Sequence, residues 1–292
     1  MGPPCNATRW VTTVALCVVV SSPGAQTPTF SSRREAVRVD VLVTDRGQPV
    51  RDLNLGDFEM FDSGVRQQVD LMSFEQLPLN VILALDASAS ISAEQLDHLR
   101  QGGRAVLDNL KAEDQAALLT FANAVALRER LTNDAARVRA ALDQLQATDV
   151  RASGGTALID ACFTSMMLAE ADTGRDLLIV FTDGVDTSSW LAAERVLQAA
   201  RRSSIVSYAV STASLPKNSF LRELSDVTGG GAMEIRSTAS VRAAFVAILN
   251  EFRQRYLLSF SPSAVPPTGW HPLTVRVKRR SVDVRARAGY MR

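Results

Sequence analysis

In "ILALDASASIS" (residues 82–92) an apolar run ends in Asp86, and hydroxyl groups follow at Ser88 and Ser90. Farther along, "ASGGTALIDA" sets Thr156 behind Gly154 and Gly155, and "LLIVFTDGVDT" ends a second apolar run in Asp183. Two carboxylates and three hydroxyls make an all-oxygen donor set, which suits a hard divalent cation, Mg²⁺ or Mn²⁺. Mg²⁺ prefers near-octahedral oxygen coordination at about 2.0–2.1 Å and commonly retains waters. With so few anionic ligands an incoming carboxylate can complete the sphere. In "DASAS", alternation sends Asp86, Ser88 and Ser90 one way and Ala87 and Ala89 the other if the chain leaves its strand extended.

For that chemistry to occur, separate segments must bring these residues to one point. Between about Asn80 and Gln254, buried-strand runs alternate with amphipathic helical patterns. The strand runs are "NVILALD", "AALLTFANAV", "RDLLIVFTDG", "SSIVSYAVST" and, more weakly, "GAMEIRS". Helical patterns lie between them, from "SAEQLDHLRQGGRAVLDNL" to "VRAAFVAILNEFRQRY". Such alternation predicts an α/β fold, a doubly wound and mostly parallel sheet covered on both faces. "VALRERLT" reads as an antiparallel edge strand. In open parallel sheets, ligands bind outside the carboxyl ends of the strands. Asp86 and Asp183 both fall at such ends, and Thr156 opens a helix after a glycine pair that permits close backbone approach.

The flanks read differently. Residues 35–77 and 255–292 show period-two strands broken by turn chemistry such as "DRGQP", "FDSGV" and "PPTGW". Neither flank supplies enough strands for a sheet of its own. They are expected to pair into one small β domain, with residues 78–254 inserted between its halves. Residues 26–34 read as a flexible mature N-terminus. Residues 1–25 read as a signal peptide, with Arg9, the apolar stretch Val11 to Val20 and small residues up to Ala25. The weighed alternatives are an uncleaved anchor and a lipoprotein site at Cys17. Either signal reading makes the chain exported, periplasmic or secreted.

"DASAS", "SGGTALIDA" and "FTDG", in this order and at strand ends, resemble the metal-ion-dependent adhesion site of von Willebrand factor A domains. The resemblance spans residues 78–254. It implies a Rossmann-like fold in which Asp86, Ser88, Ser90, Thr156 and Asp183 hold Mg²⁺ or Mn²⁺, some through water. It also implies a protein partner presenting an Asp or Glu carboxylate to the ion, with no catalysis required. The flanks, with "VDVLVTDRGQPVRDLNLGDFEMFDSGVRQQVDLMSFE" and the ending "VRARAGYMR", resemble exported von Willebrand A-related proteins of bacteria, common in acidobacteria.

Composition narrows the rivals. Lys plus Arg number 32 against 31 for Asp plus Glu, so no basic excess marks a nucleic-acid partner. No stretch after the signal segment is long and apolar enough to span a bilayer. Of the cysteines, Cys5 and Cys17 leave with a cleaved signal and Cys162 lies in an apolar helical pattern, which gives no disulfide and a buried, inert thiol. A hydrolase using Ser88 or Ser90 as nucleophile would need a nearby base. Only His98 and His271 are available, and both read as surface residues. Metal-assisted hydrolysis is the alternative function, and a scaffold without functional metal, its five oxygens only capping loops, is the other. Asp160 and Asp186 read as helix and turn residues, Asp186 with a supporting hydrogen-bond role. Trp190 reads either as a rim residue or as core.

Overall fold

The computed structural model describes residues 1–2, 36–73, 77–145, 154–169, 174–216, 219–279 and 281–292. Apart from residues 1–2, the expected signal peptide and mature terminus lie outside them. The chain divides into units 1–33 and 34–292. The second unit begins with strands β1 (Val37–Asp45), β2 (Gln48–Pro49), β3 (Phe58–Asp62), β4 (Val65–Gln67) and β5 (Val69–Ser73). There follow β6 (Leu79–Asp86), α1 (Ala93–Asp108), β7 (Gln115–Phe121), β8 (Val125–Thr132), α2 (Ala135–Asp143) and α3 (Leu158–Leu168). Next come β9 (Arg175–Thr182), α4 (Ala193–Ala200), β10 (Val206–Ser211), α5 (Phe220–Thr228), β11 (Gly231–Glu234) and α6 (Val241–Arg253). Strands β12 (Tyr256–Phe260), β13 (Trp270–Val277), β14 (Asp283–Arg285) and β15 (Gly289–Met291) end the chain.

The α/β part is built on a six-stranded sheet ordered β11-β10-β9-β6-β7-β8. Strand β6 lies inside it, in parallel register with β7 on one side and β9 on the other. Every residue of β6 is buried, as a strand covered on both faces requires. Its Val81, Leu83 and Leu85 pack with residues of α1, α2 and α6, while Ile82 and Ala84 pack with residues of α3, α4 and α5. This is the doubly wound arrangement read from the alternating pattern. The expected edge strand is present, with β8 antiparallel to β7.

Local chemistry places α1 immediately behind the candidate site. Ser92 Oγ accepts from the Gln95 N–H at 3.2 Å, and the Gln95 side chain accepts from the Ser92 N–H at 2.7 Å. This capping box fixes the start of the helix just beyond Ser90. Within α1 the pair Gly102–Gly103, unfavourable for an isolated helix, has a packing reason. A Cβ at Gly102 would stand 2.8 Å from Val241 of α6, and one at Gly103 would stand 2.9 Å from Leu142 of α2. Helix packing here depends on the missing methyls.

The flanking strands form two sheets. One has the order β14-β1-β12-β5 with β2 on β1, and the other β15-β13-β3-β4. Each combines strands from both ends of the chain, and the two share a core that includes Val39, Val41, Met60, Tyr256 and Phe260. His271, expected on the surface, is buried in this part. Its Nδ1 lies 2.9 Å from Asp62 Oδ1, and the Tyr290 hydroxyl donates to Asp62 Oδ2 at 2.7 Å. A strand-initial histidine looks polar in sequence, but cross-strand pairing to β3 and β15 places it inside.

Candidate metal centre

Because β6 and β9 are adjacent and parallel, their carboxyl ends emerge together, and the residues following them meet. The Thr182 hydroxyl, last in β9, donates to Asp86 Oδ2 at 2.6 Å. On the other oxygen, Asp86 Oδ1 accepts the Ser88 N–H at 2.9 Å. Ser88 Oγ and Ser90 Oγ are 3.0 Å apart, and Ser90 Oγ donates to Asp183 Oδ1 at 2.8 Å. Four of the five candidate ligands therefore lie in one polar chain running across the β6–β9 gap.

The backbone achieves this differently from the extended alternation read in "DASAS". Residues 88–90 form a bend and turn, with the Ile91 N–H donating to the Ser88 carbonyl at 3.0 Å. The turn, rather than a continuing strand, brings the serine hydroxyls together.

Thr156 is tied to the loop that follows Asp183. Its N–H donates to Thr187 Oγ1 at 2.9 Å, and its carbonyl accepts the N–H groups of Thr187 and Ser188 at 2.9 and 3.3 Å. Next to it, the Ala157 N–H donates to the Ala122 carbonyl just past β7. Gly155 lets these loops touch, since a Cβ there would stand 2.5 Å from Ser188 Oγ. Among the described residues no hydrogen bond links the Thr156 hydroxyl to the Asp86–Asp183 chain.

Burial grades from floor to rim. Asp86, Ser88 and Thr156 are buried, Asp183 is half-buried and Ser90 is exposed. Burial pushes the Asp86 carboxyl above the ordinary carboxylate range, hydrogen bonds from Ser88 and Thr182 pull it back, and the charge of Asp183 pushes it up. Two carboxylates joined through Ser88 and Ser90, one of them desolvated, are an arrangement that a divalent cation relieves. The donor set is oxygen throughout, and Ser188 Oγ, beside Thr156, is buried with no hydrogen-bond partner among the described residues. The oxygen-only donors fit a hard cation. No group of three or more His, Cys, Asp or Glu suited to a metal occurs among the described residues.

Several supporting roles were not legible as such. Thr182, read only as part of "FTDG", orients Asp86. Asp160 accepts the backbone N–H groups of Trp190 and Leu191 at 2.9 and 3.0 Å, clamping the loop after Asp183 onto α3. Asp186 accepts from the Ile159 N–H at 3.2 Å and from the Ser189 hydroxyl, the supporting role read for it. Neither histidine is bonded to the Asp86–Asp183 chain. His98 Nδ1 is 2.9 Å from Thr238 Oγ1, between α1 and the turn before α6, and His271 pairs with Asp62 in the flanking sheets. Cys162 is buried, which raises its thiol pKa and keeps it unreactive.

The sequence model of the von Willebrand factor type A domain matches residues 80–246. The chain belongs to that family. The chain is 28% identical over 123 residues to inter-alpha-trypsin inhibitor heavy chain H4 of Bos taurus, covering 39% of this chain and 13% of that protein. The heavy chain H4 of Sus scrofa is 29% identical over 119 residues, again covering 13% of its length. The chain thus spans a small part of the curated relatives that it matches. Among solved structures, a von Willebrand factor type A protein from Catenulispora acidiphila superposes with a TM-score of 0.52 at 16% identity, covering 76% of this chain and 52% of that one. Proximal thread matrix protein 1 from the mussel byssus, with a zinc-occupied MIDAS motif, gives 0.53 at 16% identity, covering 65% and 49%. At these identities the likeness is one of fold.

Proposed function

We propose that this von Willebrand A protein is a non-catalytic, cation-dependent binding module, with Asp86, Ser88, Ser90, Thr156 and Asp183 as the residues that hold Mg²⁺ or Mn²⁺. The observation that carries the reading is the continuous polar chain from buried Asp86 through Ser88 and Ser90 to Asp183 across the carboxyl ends of β6 and β9. When bound, the cation supplies a bridging site for one carboxylate oxygen of a protein partner. Asp86 and Asp183 balance its charge, the hydroxyls complete the oxygen set, and solvent access at Ser90 and Asp183 leaves the partner an approach. Support for divalent metal use in this fold comes from the mussel protein with zinc in its motif. The oxygen-only donors favour Mg²⁺ or Mn²⁺ in this chain.

The signal-like residues 1–25 assign the protein to the exported class, working in the periplasm or outside the cell in adhesion or envelope assembly. Among the described residues no helix is long and apolar enough to cross a membrane. The likeness of the flanks to exported bacterial von Willebrand A-related proteins agrees with this placement.

Selection of a phage-displayed random peptide library on the immobilised full chain tests the reading. In Mg²⁺ or Mn²⁺ the enriched peptides should share an Asp or Glu, and chelator or Ser88→Ala should abolish enrichment. Enrichment indifferent to both would place binding on another surface.

A further inference from the structure

The loop from Asp183 to Leu191 is tightly held yet presents apolar side chains to water. Its backbone is fixed at Thr187 and Ser188 by the Thr156 carbonyl and at Trp190 and Leu191 by the Asp160 carboxylate, and the Ser189 hydroxyl donates to Asp186 and accepts the Asp160 N–H. On that frame Trp190 is 94% exposed and Val185 is 70% exposed. Among the described residues, apart from Met1, they are the two most exposed of the large hydrophobics; Met167, at the far end of α3, follows at 69%. The expectation that Trp190 might serve as core does not hold. An outward tryptophan contributes nothing to the core, whereas on an ordered loop it is already positioned as a contact. Val185 follows Asp183 by two residues, so their Cα atoms lie within about 7 Å.

Resting on the cation-dependent reading of the site, the geometry points to an apolar rim, formed by Val185 and Trp190, that selects partners by what flanks their carboxylate. The occupant is an extended segment of another protein carrying an Asp or Glu, with a bulky aliphatic or aromatic residue about two positions away. Two positions is the spacing at which an extended chain again presents a side chain on the same side, and it matches the Asp183–Val185 separation. The carboxylate gives dependence on the cation and the apolar neighbour gives discrimination among acidic sequences. A central charge contact beside an aromatic anchor is a common division of labour in interfaces.

The peptide-library selection separates this inference from the one beneath it. Against wild type in Mn²⁺, enriched peptides should carry Asp or Glu with a bulky apolar residue within about two positions. Against Trp190→Ser and the double variant Val185→Ser/Trp190→Ser, the acid should persist and the apolar preference should fade. A synthetic copy of the leading wild-type peptide should bind Trp190→Ser about tenfold or more weakly, the loss typical of an interface anchor. Its melting midpoint and Mn²⁺ affinity should match wild type, because the side chain is outside the core. Enrichment of acids with no apolar neighbour, or unchanged peptide affinity in Trp190→Ser, overturns the rim while leaving the cation site intact. Absence of any cation-dependent acidic enrichment overturns both.

Discussion

At the scale of single residues, the site is decided by how Asp86 is held. It is fully buried at the end of β6, with one oxygen bonded to Thr182 and the other to the Ser88 backbone. Burial raises its pKa, so without a cation the ionised form is disfavoured in the fold relative to the unfolded chain. The raised pKa means that the protonated folded form is favoured at low pH, and this contribution is lost as pH rises through the folded value. Asp86→Asn removes the charge but keeps one acceptor, and the Thr182 hydroxyl can turn to the Gly184 carbonyl 3.3 Å away. In chelator near neutral pH the variant should therefore unfold within about 1 kcal/mol of wild type. Thermal or urea melts measure this. A loss of several kcal/mol would show that Asp86 serves mainly to hold the loops. That Asp86, Ser88, Ser90 and Asp183 are neighbours could be expected from residue type and strand-end position. The sequence did not disclose Asp160 as a clamp, because accepting two backbone N–H groups from a distant loop leaves no local pattern.

At the scale of elements, the switch in strand order at β6 creates the site. β7 lies on one side and β9 on the other, so two consecutive βα units diverge from β6 and leave an opening at the carboxyl ends. The buried strands and their helices were legible from hydrophobic period, and the antiparallel β8 from its alternation. Helix limits were less so: in "SSWLAAERVLQAARR" only Ala193–Ala200 is helical, since residues before it serve the loop bonded to Asp160. The touching of loops is also tertiary information, and it turns on Gly155. In Gly155→Ala the new methyl would meet Ser188 Oγ at 2.5 Å and its Cβ at 2.9 Å. The expected result is a destabilisation of about 1–3 kcal/mol, the range for overpacking. Cation affinity should fall as Thr156 and the Asp183 loop separate. A variant with wild-type stability and affinity would show that this close approach can relax freely.

At the scale of the whole molecule, the C-terminal flank grips the α/β part. Arg287 donates to the carbonyls of Gly289, Ser203 and Arg201, at 2.7, 2.9 and 3.0 Å, and burial draws its pKa down to about 10. Arg255 is fully buried, its guanidinium donating to the Tyr208 hydroxyl at 2.6 Å, while Glu251 bonds both Tyr208 and Arg285. At the N-terminal side, Arg175 Nε donates to Asp40 Oδ1 of β1 at 2.7 Å. Apart from Gly289 these partners are far apart in sequence, so the flanks could be read as paired strands but not as part of this buried charged network. Arg287→Ala removes a donor from three carbonyls, of which that of Arg201 keeps the Met291 N–H at 3.0 Å. Global stability should drop by about 3 kcal/mol or more in denaturant unfolding, with cation affinity unchanged. A site that weakened in step would reveal coupling between the flank and the strand ends.

Divalent-cation binding by Asp86 and its neighbours is open to direct measurement. Calorimetric titration of Mg²⁺ and Mn²⁺ into the chelator-stripped full chain, with Asp86→Asn in parallel, tests it most directly. Saturable binding to one site in wild type, absent in the folded variant, is the predicted result. Equal binding to both proteins, or none to folded wild type, would contradict the account.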